Sequence, residues 1–231
     1  MAKKVKYKIK EVLPSVFSVT IPNDFERAMT FLRVQEFYES PNPIFRGNNF
    51  NIWDFFEWYS LENQDSFTYG KDWSGFNVPF EVAWKCYSGV GSLPDSHKSK
   101  WDETMKSIVW TVQARMFNKK NKDDHHAYII GSKDTEGETF KHELCHSLYY
   151  VNEDYKREAT ALVKKIQKEH FEIFSKNLLS MGYTKAVVKD EIQAYLMFGH
   201  SVDKFGKGVR LQIRTNYHDL FHQSLDKFFT K

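Results

Sequence analysis

His142-Glu143-Leu144-Cys145-His146 is the segment of this chain whose residue types and spacing can do chemistry. On an α-helix, side chains four residues apart lie about 40° apart around the axis and one turn along it. The two imidazoles therefore point the same way and can offer two neutral ring nitrogens to one Zn²⁺, at about 2.0 to 2.1 Å each. Glu143 lies one residue past the first histidine, so its carboxylate flanks the metal instead of completing the ligand set. There it can take a proton from water activated at the metal and pass it to a leaving group. Cys145 falls about 100° around the helix from His146 and is expected to be a small buried residue, not a ligand.

The elements around this segment give it a frame. His126-Ala127-Tyr128-Ile129-Ile130 is short and β-prone, and Gly131 closes it. Thr135 to Glu138 is a turn, and Thr139 to Tyr150 has a helical pattern that ends at Asn152. Phe140, Leu144 and Leu148 form a second, apolar stripe on that helix, as a helix crossing a core requires.

The stretch from His126 to Tyr150 resembles the centre of the zincin metallopeptidases. The resemblance implies that His142 and His146 are the two histidine ligands and that Glu143 is the general base. It also implies an edge strand above the active-site helix that pairs with an extended peptide substrate. Tyr128, Ile129 and Ile130 would belong to that edge. After His146 the chain runs Ser147-Leu148-Tyr149-Tyr150-Val151-Asn152, with no HxxGxxH continuation. A third histidine ligand of the metzincin kind is thereby excluded. The N-terminal half resembles no family that would name a substrate.

A catalytic zinc site usually has three protein ligands and one open position. Glu158, Glu191, His200 and His218 are the downstream candidates. The spacing predicts a long helix from Asp154 to Leu179, with Leu162, Ile166, Phe171, Phe174 and Leu178 as its apolar line, broken at Gly182. A further helix is expected over Thr184 to Phe198. Its Glu191, Ala194, Tyr195 and Phe198 share one face at i, i+3, i+4 and i+7. A carboxylate on an otherwise apolar face is costly to bury unless it is paired or metal-bound. Ala194 leaves room there for a close helix approach. The arrangement is similar to the gluzincin class, in which a glutamate on a second helix completes a His₂Glu set, and Glu191 is the preferred third ligand on that ground. Glu158 comes next, because only a tight turn separates its helix from His146. Glu191 could instead pair with Arg33 or Arg157. Asp190 either orients a histidine through its ring N–H or is a solvated neighbour of Lys189. Tyr195 or Tyr149 either donates to a developing oxyanion or simply packs, and Tyr195 is the candidate named with Glu143 for catalysis.

The remainder of the 231 residues sets bounds. Apolar and aromatic fractions of 41% and 16% are too high for a disordered chain. A formal charge of +3 is too even for a dedicated nucleic-acid binder, and Met1 to Lys10 is read as a charged strand or solvated arm. Cys86 and Cys145 form neither a CxxC pair nor a disulfide framework. No apolar run is long enough to span a membrane, and no signal segment follows the basic start, so a cytoplasmic setting is expected.

Upstream, a strand is expected over Val16 to Ile21. Next comes a helix capped by Asn23 or Asp24 and running through Phe25, Ala28, Met29, Leu32 and Glu36. A short helix over Ile52 to Tyr59 follows, then an aromatic stretch without regular structure from Phe67 to Pro79. A helix after Pro79 should end near Gly89 to Gly91, Pro94 to Lys100 should be loop, and Trp101 to Phe117 a strong helix followed by polar loop over Asn118 to Asp124.

The expected fold class is α+β: a mainly helical zincin-like core with a small sheet whose edge strand lies above the active-site helix. Residues 1–117 would form a mostly helical N-terminal region and 118–231 the catalytic region. The expected function is zinc-dependent hydrolysis of an amide bond in a peptide or protein substrate, without nucleic-acid or membrane partners. An amidase for a small or modified substrate and a non-catalytic metal-bearing scaffold are the alternatives.

Overall fold

The computed structural model describes residues 4–88, 98–117, 126–181, 183–198 and 217–229. The fold is mainly helical α+β with one small open sheet, as expected. The chain forms two compact units, Met1–Thr135 and Glu136–Lys231.

The first unit contains the sheet. Strands β1 (Lys8–Leu13) and β2 (Val16–Thr20) form an antiparallel hairpin. Its tight turn carries Ser15 at φ 63°, and the Ser15 amide donates to Glu11 Oε1 at 2.9 Å. Strand β4 (Tyr128–Ser132) pairs in parallel with β2 and in antiparallel with β3 (Phe76–Pro79), so the order is β1-β2-β4-β3. All five residues of β4 are buried, as befits a strand with neighbours on both sides.

Helix α1 (Asp24–Glu39) packs on this sheet and is buried almost all round from Arg27 to Glu36. Asn23 is its N-cap and accepts from the Glu26 amide at 2.8 Å. Phe25, expected on the buried face, is about half exposed because it precedes the turn where α1 enters the core. Phe31 lies against Gly131 and stacks on Phe76 with ring centres 5.2 Å apart. Helices α2 (Ile52–Glu62), α3 (Tyr69–Asp72), α4 (Phe80–Ser88) and α5 (Lys100–Phe117) complete the unit. The buried Arg33 guanidinium of α1 donates to Asp102 of α5 at 2.6 Å, and burial of that pair ties the two helices together.

In the second unit, α6 (Glu138–Val151) and α7 (Glu153–Val163) are joined through Asn152 alone. The Asn152 amide donates to Leu148 O to close α6, while its side chain accepts from the Tyr155 amide to open α7. Helices α8 (Lys168–Ser180) and α9 (Val188–Met197) follow, with α9 packed against α6, α7 and α8. A last helix covers 217–225 and tightens into a 3₁₀ turn at Asp226–Phe228.

Three expectations need correction. Tyr128 to Ile130 do not form a sheet edge: β4 is interior, so its backbone groups are already committed to β2 and β3. The stretch from Phe67 to Pro79 is not irregular throughout, since it carries α3 and β3: Gly70 is taken into α3, and Pro79 is the last residue of β3. The long helix expected from Asp154 to Leu179 is two helices. Lys164 and Lys165 turn the chain, and Gln167 takes an extended backbone (φ −56°, ψ 140°) before α8 starts. The ends expected at Gly89 to Gly91 and at Gly182, the loop at 118–124, and His200 lie outside the described residues, as does most of the loop at 94–100. No helix of the described residues is long and apolar enough to cross a membrane.

Candidate metal centre

Helix α6 brings His142 and His146 to one face, and α9 brings Glu191 to meet them. One ligand atom from each of these three residues lies within 4.8 Å of the others. His146 Nε2 is 3.2 Å from His142 Nε2 and 3.7 Å from Glu191 Oε1. Two nitrogens bound tetrahedrally to one zinc at 2.0 to 2.1 Å would stand about 3.3 Å apart, so the observed nitrogen spacing already matches such a pair. His146, Glu143 and Glu191 are all buried, and His142 is partly exposed.

The far nitrogens of both rings are anchored. His146 Nδ1–H donates to Asp190 Oδ1 at 3.0 Å, and His142 Nδ1–H donates to the Phe198 carbonyl at 3.1 Å. A carboxylate and a carbonyl can only accept, so both protons sit on Nδ1 and both Nε2 atoms face the cluster. One helix supplies both anchors: Asp190 stands in the first turn of α9, and Phe198 caps its end. Beyond it, His222 Nε2–H donates to Met197 O at 2.8 Å, and the Phe198 ring packs edge-on against His222 and Phe229. The 217–229 segment thus seats the carbonyl that holds His142.

The electrostatics fit a cation. Burial lowers the His142 pKa to about 3, and the charge of His146 adds to that, so His142 is neutral at ordinary pH. Burial also disfavours charge on His146, but Asp190, Glu191 and Glu143 outweigh it and hold that imidazole well above its usual range. Without metal, then, one proton on His146 Nε2 sits between His142 Nε2 and Glu191 Oε1. Three carboxylates around two imidazoles leave an acidic surplus, and the nitrogen–oxygen donor set suits a zinc-like ion. Burial pushes the Cys145 thiol up, so it remains S–H, hydrogen-bonded to Tyr155. It is the small buried residue expected.

The other candidates lie elsewhere. Glu158 pairs with Lys227 Nζ at 2.8 Å, and His218 packs at a tilt against His222 with ring centres 4.2 Å apart. Tyr149 hydrogen-bonds Thr160 at 3.0 Å. Tyr195 packs edge-on against the His142 ring, with centres 4.7 Å apart. Arg157 is exposed and pairs with Asp154 at 2.7 Å, while Arg33 is committed to Asp102.

Three residues near the cluster were not singled out by the sequence. Tyr183 shares a hydrogen bond with Tyr195 and feels the charges of Glu191 and Glu143; burial, the larger cause, raises its pKa so that it stays protonated. Gln193 and Tyr155, both fully buried, back Asp190. Gln193 stands three residues from Asp190, a helical spacing that lets the two side chains meet, but two residues from Glu191 it faces almost the opposite way, so the apolar face that carries Glu191 does not include it. Only the burial of α9 on several sides places both indoors.

No protein-family model matches the chain, and neither the curated proteins nor the solved structures contain a match. The likeness to zincins therefore rests on the motif and on this buried His/His/Glu triad.

Proposed function

We propose that the chain is a zinc-dependent hydrolase of amide bonds, with a peptide or protein as its substrate. The observation that carries this reading is the convergence of His142 Nε2, His146 Nε2 and Glu191 Oε1 while both Nδ1 atoms are anchored to acceptors. His142, His146 and Glu191 would hold the metal. Zinc held there supplies Lewis acidity toward water and a carbonyl oxygen, lowering the pKa of water toward about 7.

The chain's own residues supply the rest. Glu143 sits beside the first histidine on α6 and is buried, so its carboxylate can accept a proton from attacking water and return it to the leaving amine. Asp190 and the Phe198 carbonyl hold the two imidazoles in one tautomer through these transfers. Tyr195, whose ring lies against His142, and Tyr183, bonded to Tyr195, are the candidates to donate to a developing oxyanion.

Glu143→Gln tests the reading. The amide is nearly isosteric but cannot accept the proton, so zinc content should hold while hydrolysis falls by about 10²- to 10⁴-fold or more. Wild type and variant are compared on a diverse peptide library at equal zinc occupancy, with products read by mass spectrometry. Comparable cleavage by both would reject the general-base role.

A further inference from the structure

A hydrogen-bonded chain runs away from the triad through the interior of the second unit. Asp190 Oδ1 accepts from His146 Nδ1 at 3.0 Å and also from Gln193 Nε2 at 2.9 Å. Gln193 Oε1 in turn accepts from the Tyr155 hydroxyl at 2.6 Å. Gln193 and Tyr155 are both fully buried.

The direction of every bond in this chain is forced. A carboxylate has no proton to give, so the Gln193 amide must turn its NH₂ toward Asp190 and its oxygen toward Tyr155. Tyr155 must then be the donor, and its hydroxyl lies beside the Cys145 thiol of α6. Flipping the amide would set an oxygen against a carboxylate and strand the tyrosine proton. The Tyr155 ring is itself held edge-on by Phe228 and Phe229, with centres 5.3 and 6.0 Å away. The foot of the chain is therefore rigid, and α7 contributes to the geometry of a site whose other groups come from α6 and α9.

We propose that Gln193 and Tyr155 are positioning residues for the metal centre: they fix the Asp190 carboxylate and, through it, the orientation of the His146 imidazole. This rests on the reading of His142, His146 and Glu191 as metal ligands. A buried amide–hydroxyl pair contributes little net stability once the loss of water is counted. Its directional contribution is larger, because Asp190 stands on the partly exposed first turn of α9 and, without Gln193, would be free to rotate toward solvent. His146 would lose a fixed acceptor, and its Nε2 lone pair would no longer point reliably at the triad.

The test uses Zn²⁺ and Co²⁺ with the full chain. Tyr155→Phe removes one hydroxyl and keeps the ring between Phe228 and Phe229. Gln193→Met keeps the side-chain length and removes both polar atoms. Zinc affinity is measured by chelator competition on the folded protein, the Co²⁺ visible spectrum reports ligand geometry, and thermal unfolding of the metal-free protein reports stability. Loss of the group bonded directly to a ligating histidine typically weakens metal binding about 10- to 100-fold; Gln193 and Tyr155 act through that group, so each variant should fall severalfold, up to about tenfold, with an altered Co²⁺ spectrum. A purely structural role would lower the metal-free unfolding temperature yet leave affinity and spectrum unchanged, and that result would overturn the proposal. If Gln193→Met does not fold, Tyr155→Phe alone decides by the same two readouts. His142→Ala and His146→Ala are run in parallel. If wild type binds no stoichiometric zinc, or these variants keep it, the ligand reading itself fails. If they lose zinc while Tyr155→Phe and Gln193→Met bind like wild type, only the positioning role fails.

Discussion

Zinc binding should release one proton in the neutral range, because only one of the two histidines holds a removable proton there. His142, lowered to about 3, is already neutral and costs the metal nothing. His146, raised by Asp190, Glu191 and Glu143 against its burial, must give up its Nε2 proton. Between pH 5 and the raised pKa of His146, the apparent zinc association constant should therefore climb about tenfold per pH unit, the slope for a single displaced proton. Calorimetry in buffers of different ionisation enthalpy counts the proton directly.

Asp190→Asn removes the strongest of the charges that raise His146, so its proton release near neutrality should shrink while affinity also drops. The metal-free protein carries the same information in its stability. His146 stabilises the fold below its ordinary value of 6.5 and loses that contribution as pH rises through its raised folded value. His142 works the other way: the unfolded chain takes up its proton below 6.5 and the folded one does not until about 3, so stability falls over that interval. Together the pair should give the metal-free protein a stability maximum near pH 6.5, which zinc would shift upward by favouring deprotonated ligands. A hundredfold rise in affinity per pH unit, or none, would refute the assignment of one proton to His146.

Two further outcomes are expected. Glu191→Ala should deplete zinc in a metal analysis of purified protein, whereas Glu158→Ala should not, since Glu158 is engaged with Lys227 away from the triad. Gly131→Ala should destabilise the first unit by about 1 to 3 kcal/mol in urea unfolding, because the added Cβ would stand 2.5 Å from carbons of the buried Phe31 ring.

The elements most legible in the sequence were those whose apolar spacing matches burial on one side. Helix α5 buries Met105, Ile108, Val109, Val112 and Met116, the stripe that its sequence displays. Strand β4 was equally visible as a short apolar run, but its place in the sheet was not. Such a run says that both faces are covered; it does not say which strands lie on its two flanks. The partners are β2, more than a hundred residues upstream in the register Val16↔Tyr128, and the four-residue β3, hidden in an aromatic stretch. The break between α7 and α8 was masked for a related reason. Leu162 and Ile166 continue the α7 stripe to the turn, and Phe174 and Leu178 resume one at compatible spacing.

The triad itself divides along the same line. His142 and His146 are brought together by one turn of a single helix, so local periodicity suffices to juxtapose them. Glu191 required the further argument that a carboxylate on an apolar face needs a partner, and α9 does bring it to the histidines. What periodicity could not supply was the reason both rings face inward. That lies in groups which a sequence cannot rank: the carbonyl of Phe198, exposed only because α9 ends there, and an aspartate whose alternative was plain solvation beside Lys189. A helix end offers carbonyls without an internal partner, and α9 uses one of them for His142 while its first turn serves His146 and the triad. Shortening or lengthening α9 by a residue would rotate one anchor away from its histidine while leaving the His-Glu-x-x-His motif intact, so the motif alone underdetermines the centre.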